Sequence, residues 1–278
     1  MEISNFMRLG ISSFTFPWAI GGIDNDHPIS MTAFELLDKA HAYGADVLQI
    51  ADNLPIGHLS NDELGKLKTK ADALGISLEV GTRGIATANI ARFLEIAAIL
   101  GSPILRIVID TKEHEPTIDE INSLLTPFAD QFRNLNIKLA IENHDRLACA
   151  QFNEIIDRLG DDWVGICLDT VNSLGAVEAP NTVVPALAPR AINVHMKDFE
   201  IVRSNGQMGF TVQGTALGQG RLDVPGVIAA VGGSKCDITS VIELWTPRQS
   251  SYEETVALEE KWAAQSVKFL RTSIGLKA

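Results

Sequence analysis

Cationic residues are scarce in this chain of 278 residues. Lys and Arg number 23 against 35 Asp and Glu, which leaves a formal net charge of −12. Affinity for nucleic acid comes largely from Lys and Arg side chains that displace the counterions of phosphate groups. The charge therefore argues against a nucleic-acid partner, and we expect a small molecule as the ligand.

Paired cysteines and long apolar runs are also missing. Cys149, Cys167 and Cys236 form no CxxC motif and are odd in number, as is typical of a reducing compartment, and we expect them to be small core residues. No apolar run approaches the about 20 residues that span a bilayer. The first ten residues, MEISNFMRLG, lack the pattern of a signal peptide. We expect a cytoplasmic protein without a membrane partner, and the sequence leaves open whether it forms a homo-oligomer.

Short β-branched runs alternate with longer helical patterns along the chain. There are eight such runs: RLGISSF, DVLQIAD, SLEVGTR, ILRIVID, KLAIENH, VGICLDT, AINVHMKD and SVIEL. Eight strands alternating with helices over about 250 residues are typical of a (β/α)8 TIM barrel. The alternative is a doubly wound open sheet, but GISSFTF at the first strand is not the Gly-rich phosphate loop that such a sheet usually carries. We therefore expect no nucleotide cofactor.

The length fits one large α/β domain or two smaller ones. No Pro/Gly/Ser-rich linker or block of charge divides the chain. We predict a single domain over residues 1–278.

Four of the predicted strands carry a polar residue at or near the carboxyl end. These residues are Glu142, Asp169, His195 and Glu243. If they point into the barrel, their neighbours on each strand are bulky apolar residues that face the helices, because side chains alternate along a strand. The inward positions below them are small or polar, as at Ala140, Cys167, Asn193 and Thr239. TIM-barrel enzymes have their active sites at this end of the strands.

Three carboxylates that converge at the mouth of a barrel repel one another and lose hydration. The cost is several kcal/mol unless protons or a cation compensate. Three carboxylates with one imidazole suit Mn²⁺, Mg²⁺ or Co²⁺. We expect one divalent metal ion, with Mn²⁺ favoured, at Glu142, Asp169, His195 and Glu243. A buried charge network without metal is the alternative.

The sequence resembles the xylose isomerase-like TIM-barrel superfamily of sugar isomerases and epimerases over nearly its whole length. The motifs that carry the resemblance are GISSFTF, IENH, CLDTVNS, VHMKD, GQGRLDVPGVI and VIELW. The resemblance implies a metal held by Glu142, Asp169, His195 and Glu243. In the epimerase branch it also implies that Glu142 and Glu243 act as catalytic acid and base. Members include isomerases, epimerases, dehydratases, decarboxylases and a DNA-repair endonuclease.

One position departs from the ketose 3-epimerases of this superfamily. They usually have a His three residues after the Asp ligand, where this chain has Asn172. An Asn side chain can hydrogen-bond a substrate hydroxyl but cannot titrate. The departure weakens the interpretation as a free-ketose epimerase.

Further residues near the predicted barrel mouth are candidates for substrate binding. They are His144, Asn172, Lys197, Arg203, Arg83, Trp245 and Trp18. The alternatives are an ion pair with Asp198 for Lys197, and a surface or salt-bridged position for Arg83. Arg106 and Glu79 are expected to form a buried ion pair lower in the barrel. The segment SNGQMGFTVQGTALGQG is expected to be a long loop that covers the site, with residues 199–220 shaping specificity.

A metal chelated by a carbonyl and a neighbouring hydroxyl stabilises an enediolate. The sequence therefore predicts a metal-dependent isomerase or epimerase that acts on a hydroxy-ketone, either a ketose or a keto-sugar derivative. The alternative is a decarboxylase or dehydratase of a sugar-derived oxo-acid, of the 3-oxo sugar acid or inosose type, that uses the same site. A noncatalytic sugar-binding protein and a DNA-repair nuclease are the remaining classes, and the metal set and the negative charge argue against them.

Overall fold

Eight parallel strands close into a barrel, as the sequence predicted. The computed structural model describes residues 7–21, 27, 30–204, 208–232 and 238–273. The barrel strands are β1 (Met7–Ser12), β2 (Val47–Ile50), β3 (Ser77–Arg83), β4 (Ile104–Val108), β5 (Lys138–Glu142), β6 (Val164–Asp169), β7 (Ala191–Met196) and β10 (Ile238–Ile242). Their order around the barrel is β1-β10-β7-β6-β5-β4-β3-β2, so the strands that carry the predicted metal ligands are neighbours.

Helices connect the barrel strands and cover them. They are α1 (Pro17–Ile20), α2 (Ala33–Ala42), α3 (Asn61–Leu74), α4 (Thr87–Leu100), α5 (Ile118–Leu125), α6 (Ala129–Leu135), α7 (Cys149–Leu159), α8 (Pro180–Leu187), α9 (Val224–Gly232) and α10 (Tyr252–Ser273). Helices α3 and α4 end at Gly75 and Gly101, whose φ angles of 71° and 66° favour glycine. None of the helices in the described part of the chain is both long and apolar enough to span a lipid bilayer.

Side chains alternate along the strands as expected. Leu139 and Ile141 of β5 are fully buried in the large apolar cluster that includes the helices. Ala140 and Cys167 belong to a separate small cluster, which fits their position inside the barrel. Cys149 and Cys167 are buried and free, whereas Cys236 lies outside the described residues.

The expected ion pair between Arg106 and Glu79 is wrong. Arg106 pairs with Gly81 in the register of β3 and β4, so Glu79 lies two residues lower in the barrel. A Cβ atom at Gly81 would lie 3.1 Å from Cδ of Arg106, and the glycine leaves room for the arginine side chain. Arg106 instead binds Glu142 near the barrel mouth.

The segment expected to be a long loop contains a β-hairpin. Strands β8 (Asp198–Arg203) and β9 (Phe210–Thr215) pair antiparallel, and residues 205–207 between them lie outside the described part. The Asp198 carboxylate accepts hydrogen bonds from the backbone N–H groups of Phe199, Gly218, Gly220 and Leu222 at 2.8–3.0 Å. These bonds fix the chain that returns from the hairpin, so Asp198 stabilises this turn.

Candidate metal centre and substrate cavity

The structure brings Glu142, Asp169, His195 and Glu243 together at the carboxyl end of the barrel. Each side chain is at most 1% exposed. His195 Nδ1 lies 3.2 Å from Glu142 Oε2, 3.3 Å from Glu243 Oε1 and 3.8 Å from Asp169 Oδ2. The alternation of side chains along four strands thus predicted that four residues far apart in sequence lie close together in the fold.

The donor atoms of this cluster fit a divalent cation. Two ligand atoms about 2.1 Å from one ion, at octahedral to tetrahedral angles, are roughly 3.0–3.5 Å apart, close to the distances around His195 Nδ1. This nitrogen is buried and makes no hydrogen bond to the described residues. Atoms of Asp169, His195 and Glu243 also lie within 4.8 Å of one another.

Cys167 gives a second geometric grouping, with Glu142 and His195. Its Sγ lies 3.3 Å from Asn193 Oδ1 and donates to it. Burial raises the pKa of the Cys167 thiol to about 11. Because a thiolate, rather than a thiol, binds metal, the oxygen-rich grouping is the better cation site.

Basic side chains of the protein pair with the carboxylates of the cluster. Arg106 Nε lies 2.6 Å from Glu142 Oε2. Lys197 Nζ lies 2.7 Å from Asp169 Oδ2 and 2.8 Å from Glu243 Oε2. Lys197 is therefore a partner of the predicted metal ligands, and the alternative of a pair with Asp198 is wrong.

These pairs set the pKa values of the cluster. Burial raises the pKa of Glu142, but Arg106 and His195 outweigh it and hold that pKa well below its usual range. For Glu243, His195 and Lys197 likewise outweigh burial and lower the pKa. Burial raises the pKa of Asp169 above its usual value despite Lys197, and the nearby glutamates add to this rise.

His195 responds in the opposite direction. Burial lowers its pKa, but Cys167, Glu243 and Glu142 together raise the pKa well above its usual value. A proton on His195 Nδ1 and a bound cation would supply positive charge at the same point of the cluster.

A cavity of about 470 Å³ opens above the cluster. Eight of the predicted site residues line it, namely Trp18, Arg83, Glu142, His144, Asn172, Lys197, Glu243 and Trp245. Arg203 is not among the lining residues, because β8 carries it away from the barrel, where its guanidinium lies 4.3 Å from the ring centroid of Phe210. The described residues of the hairpin also do not line the cavity, although Gly214 packs closely against Trp245.

Two arginines form one side of the cavity. Arg83 Nε lies 3.1 Å from Asp52 Oδ2, and Arg83 Nη2 lies 3.4 Å from His144 Nε2. Arg106 Nη1 lies 2.8 Å from the other oxygen of Asp52. Asp52 thus joins both guanidinium groups. The sequence interpretation missed Arg106 as a cavity residue, although its inward parity was visible.

Trp18 and Trp245 form aromatic walls. Trp18 is held by a hydrogen bond of 2.8 Å from Nε1 to the Thr246 carbonyl oxygen and by one of 2.9 Å from its backbone N–H to Glu259. Lys197 Nζ lies 5.7 Å from the ring centroid of Trp245. The cavity therefore combines two aromatic rings with a charged floor.

Known proteins resemble this chain over most of its length. It is 36% identical over 267 residues to the 3-oxo-isoapionate decarboxylase of Pectobacterium atrosepticum, with 96% of each chain covered. A solved D-psicose 3-epimerase is 16% identical with a TM-score of 0.71, over 97% of this chain and all of that one. A xylose isomerase-like protein from Mycobacterium smegmatis, solved in complex with magnesium, is 14% identical with a TM-score of 0.67 over 98% of both chains. The family model for the xylose isomerase-like TIM barrel matches residues 37–273, and the chain belongs to this family.

Proposed function

We propose that the protein is a lyase that decarboxylates a sugar-derived 3-oxo acid with the help of one divalent cation. The proposal is carried by three positively charged side chains that line the cavity, Arg83, Arg106 and Lys197. Glu142 and Glu243 line the same cavity. Guanidinium and ammonium groups favour a substrate with a carboxylate. The decarboxylase from Pectobacterium atrosepticum, named for a 3-oxo acid, supports the same class.

Decarboxylation of a 3-oxo acid breaks the bond between the carboxylate carbon and the carbon next to the ketone. The electron pair of this bond moves toward the ketone oxygen, CO₂ leaves, and a proton then binds the carbon that lost the carboxylate. A divalent cation at Glu142, Asp169, His195 and Glu243 would stabilise the negative charge that develops on the oxygen. We favour Mn²⁺, with Mg²⁺ or Co²⁺ as alternatives.

The protein side chains divide the remaining tasks. Arg83 ends β3, Arg106 lies within β4, and Lys197 follows β7 on the far side of the barrel. A bound anion therefore meets positive charge from two directions. The aromatic rings of Trp18 and Trp245 exclude water from the sugar carbons. We retain Glu142 and Glu243 as the proposed catalytic residues, because both line the cavity in which a proton replaces CO₂.

The contacts of Glu142 favour this lyase over an epimerase, which was the first expectation from sequence. Glu142 Oε2 lies 2.6 Å from Arg106 Nε, and Oε1 accepts a hydrogen bond of 2.8 Å from Asn172 Nδ2. A carboxylate held on both oxygens by donors is a weak base toward a C–H group. Loss of CO₂ requires no such base. The likeness to the D-psicose 3-epimerase shows the fold alone.

A substrate screen tests this function. Purified protein with added Mn²⁺ is incubated separately with 3-oxo sugar acids, inososes and neutral ketoses, while CO₂ release and the products are followed. We expect CO₂ from at least one 3-oxo sugar acid and no epimerisation of the ketoses. Rapid epimerisation of a ketose, with every 3-oxo acid left intact, would show that the first expectation was right.

A further inference from the structure

A chain of buried polar side chains lies beneath the predicted cation site. His195 Nε2 lies 2.7 Å from Gln49 Oε1, and Gln49 Nε2 lies 3.0 Å from Glu79 Oε2. Gln49 and Glu79 are paired neighbours on β2 and β3 and are 0% and 2% exposed. Neither residue lines the substrate cavity or belongs to the predicted ligand set.

The contacts of Glu79 fix the orientation of the Gln49 amide. Glu79 receives hydrogen bonds from Gln49 Nε2, from Asn193 Nδ2 at 2.9 Å and from Thr239 Oγ1 at 2.7 Å. Gln49 Nε2 also donates to Asn193 Oδ1 at 3.2 Å. An ionised carboxylate only accepts hydrogen bonds. A flipped Gln49 amide would set its oxygen against two acceptors, so its nitrogen faces Glu79 and its oxygen faces His195.

The orientation of Gln49 in turn decides which ring nitrogen of His195 carries a proton. An amide oxygen only accepts, so the proton of this contact is on Nε2 of His195. Nδ1 can then offer its lone pair to a cation between the carboxylates of Glu142 and Glu243. We propose that Gln49 and Glu79 are positioning residues, which hold the tautomer and ring plane of His195 for cation binding through Nδ1.

This role differs from simple filling of the barrel interior. A metal-ligating histidine commonly donates its second ring N–H to an oxygen acceptor, and loss of that acceptor typically weakens metal binding about 10–100-fold. Among the described residues, Glu79 makes no hydrogen bond to His195 itself, and Gln49 bonds both side chains. The two residues are therefore expected to be coupled in their effect on cation affinity.

Nuclear magnetic resonance of the wild-type protein gives the first test. Protein labelled with ¹⁵N-histidine and loaded with diamagnetic Mg²⁺ should show one slowly exchanging ring proton on His195 Nε2 and none on Nδ1. A His195 ring proton on Nδ1, with Nε2 unprotonated, would overturn the proposal. This measurement needs no variant and no substrate.

Calorimetric titration of metal-free variants with Mn²⁺ gives the second test. Gln49→Met keeps the side-chain length and removes the acceptor, and we expect an affinity about 10–100-fold weaker. Glu79→Met, which removes the acceptor of the Gln49 amide, should also weaken binding, and the double variant should be no weaker than Gln49→Met alone. Thr239→Val is the matched control, because it removes one bond to Glu79 without touching Gln49, and its affinity should stay within about twofold.

An unchanged Mn²⁺ affinity in folded Gln49→Met would overturn the proposal, and so would additive effects in the double variant. If Gln49→Met does not fold, Glu79→Met decides in the same way. The readout is cation binding, so it remains separate from the proposed reaction. Tight cation binding without CO₂ release would defeat the decarboxylase and leave this inference intact.

Discussion

Replacement of Arg106 by Met should destabilise the metal-free protein strongly. The Arg106 side chain is 2% exposed and bridges Glu142, which is 1% exposed, to Asp52. Arg106→Met has similar length and leaves the Glu142 carboxylate buried without its closest arginine partner. Breaking a buried ion pair from one side costs about 3–5 kcal/mol. At about 2–4 °C per kcal/mol for a protein of this size, the melting temperature should fall by roughly 6–20 °C.

The loss should depend on pH in a defined direction. Arg106 holds the pKa values of Glu142 and Asp52 below their ordinary values of 4.5 and 3.8, although burial raises both. A carboxyl group whose folded pKa is depressed contributes stability above its unfolded pKa and loses it as the pH falls through the folded pKa. The difference between wild type and Arg106→Met should therefore be full near pH 7 and shrink as the pH falls below about 4.

Urea unfolding in the presence of EDTA, at pH 7 and at pH 3.5, measures this difference. Arg133→Met is the control, because Arg133 forms an exposed pair with Asp162 and its loss should change stability little. Equal stabilities of wild type and Arg106→Met at pH 7 would refute the ion-pair account of the cavity wall. A loss that grew on acidification would refute its electrostatic cause.

Three further substitutions follow from the contacts. Lys197→Met should raise KM for an anionic substrate about tenfold or more, measured by steady-state kinetics. The control is Lys66→Met, because Lys66 forms an exposed pair with Asp62. An unchanged KM in Lys197→Met would show that Lys197 does not bind the anion. Glu243→Gln should keep the fold by circular dichroism but lose most of the turnover and weaken Mn²⁺ binding, and near-wild-type turnover would contradict its catalytic role. Asp198→Ala should lower the free energy of unfolding in urea by about 2–4 kcal/mol, because four backbone N–H groups lose their acceptor. The Mn²⁺ affinity should stay unchanged. A weakened affinity would show that the turn supports the cation site.

The barrel strands and the four clustered residues could be predicted from sequence because both depend on the alternation of side chains along a strand. A side chain on a barrel strand points either into the barrel or toward the helices. Bulky apolar neighbours such as Ile141 and Leu168 were expected to face the helices. The inward direction of Glu142 and Asp169 followed. The same pattern placed Lys197 and Trp245 at the mouth.

The ion-pair partners of these residues depend on distances between strands, which the alternation of side chains along one strand does not determine. Arg106 and Glu79 share inward parity, but the register of β3 and β4 sets them two residues apart in height. The length of the arginine side chain then carries its charge up to Glu142. Asp52 follows β2, and the pairing of β2 with β3 and of β3 with β4 brings it near Arg106.

The hairpin was missed although its strands alternate in sequence. Phe199 and Ile201 come directly after the seventh barrel strand, so β8 was not recognised as a separate strand. The Gly-rich stretch that follows favoured a loop. As a consequence, Arg203 was placed at the site, whereas β8 carries it to the side chain of Phe210.

Decarboxylation of a 3-oxo sugar acid in D₂O tests the proposed reaction itself. The protein is supplied with Mn²⁺ for turnover, and the product is examined by nuclear magnetic resonance after the metal is removed, with a parallel reaction in EDTA. We expect one CO₂ per substrate, deuterium at the carbon that lost the carboxylate, and no turnover in EDTA. Turnover that persists in EDTA, or deuterium beside the ketone of a substrate that keeps its carboxylate, would contradict the proposed reaction.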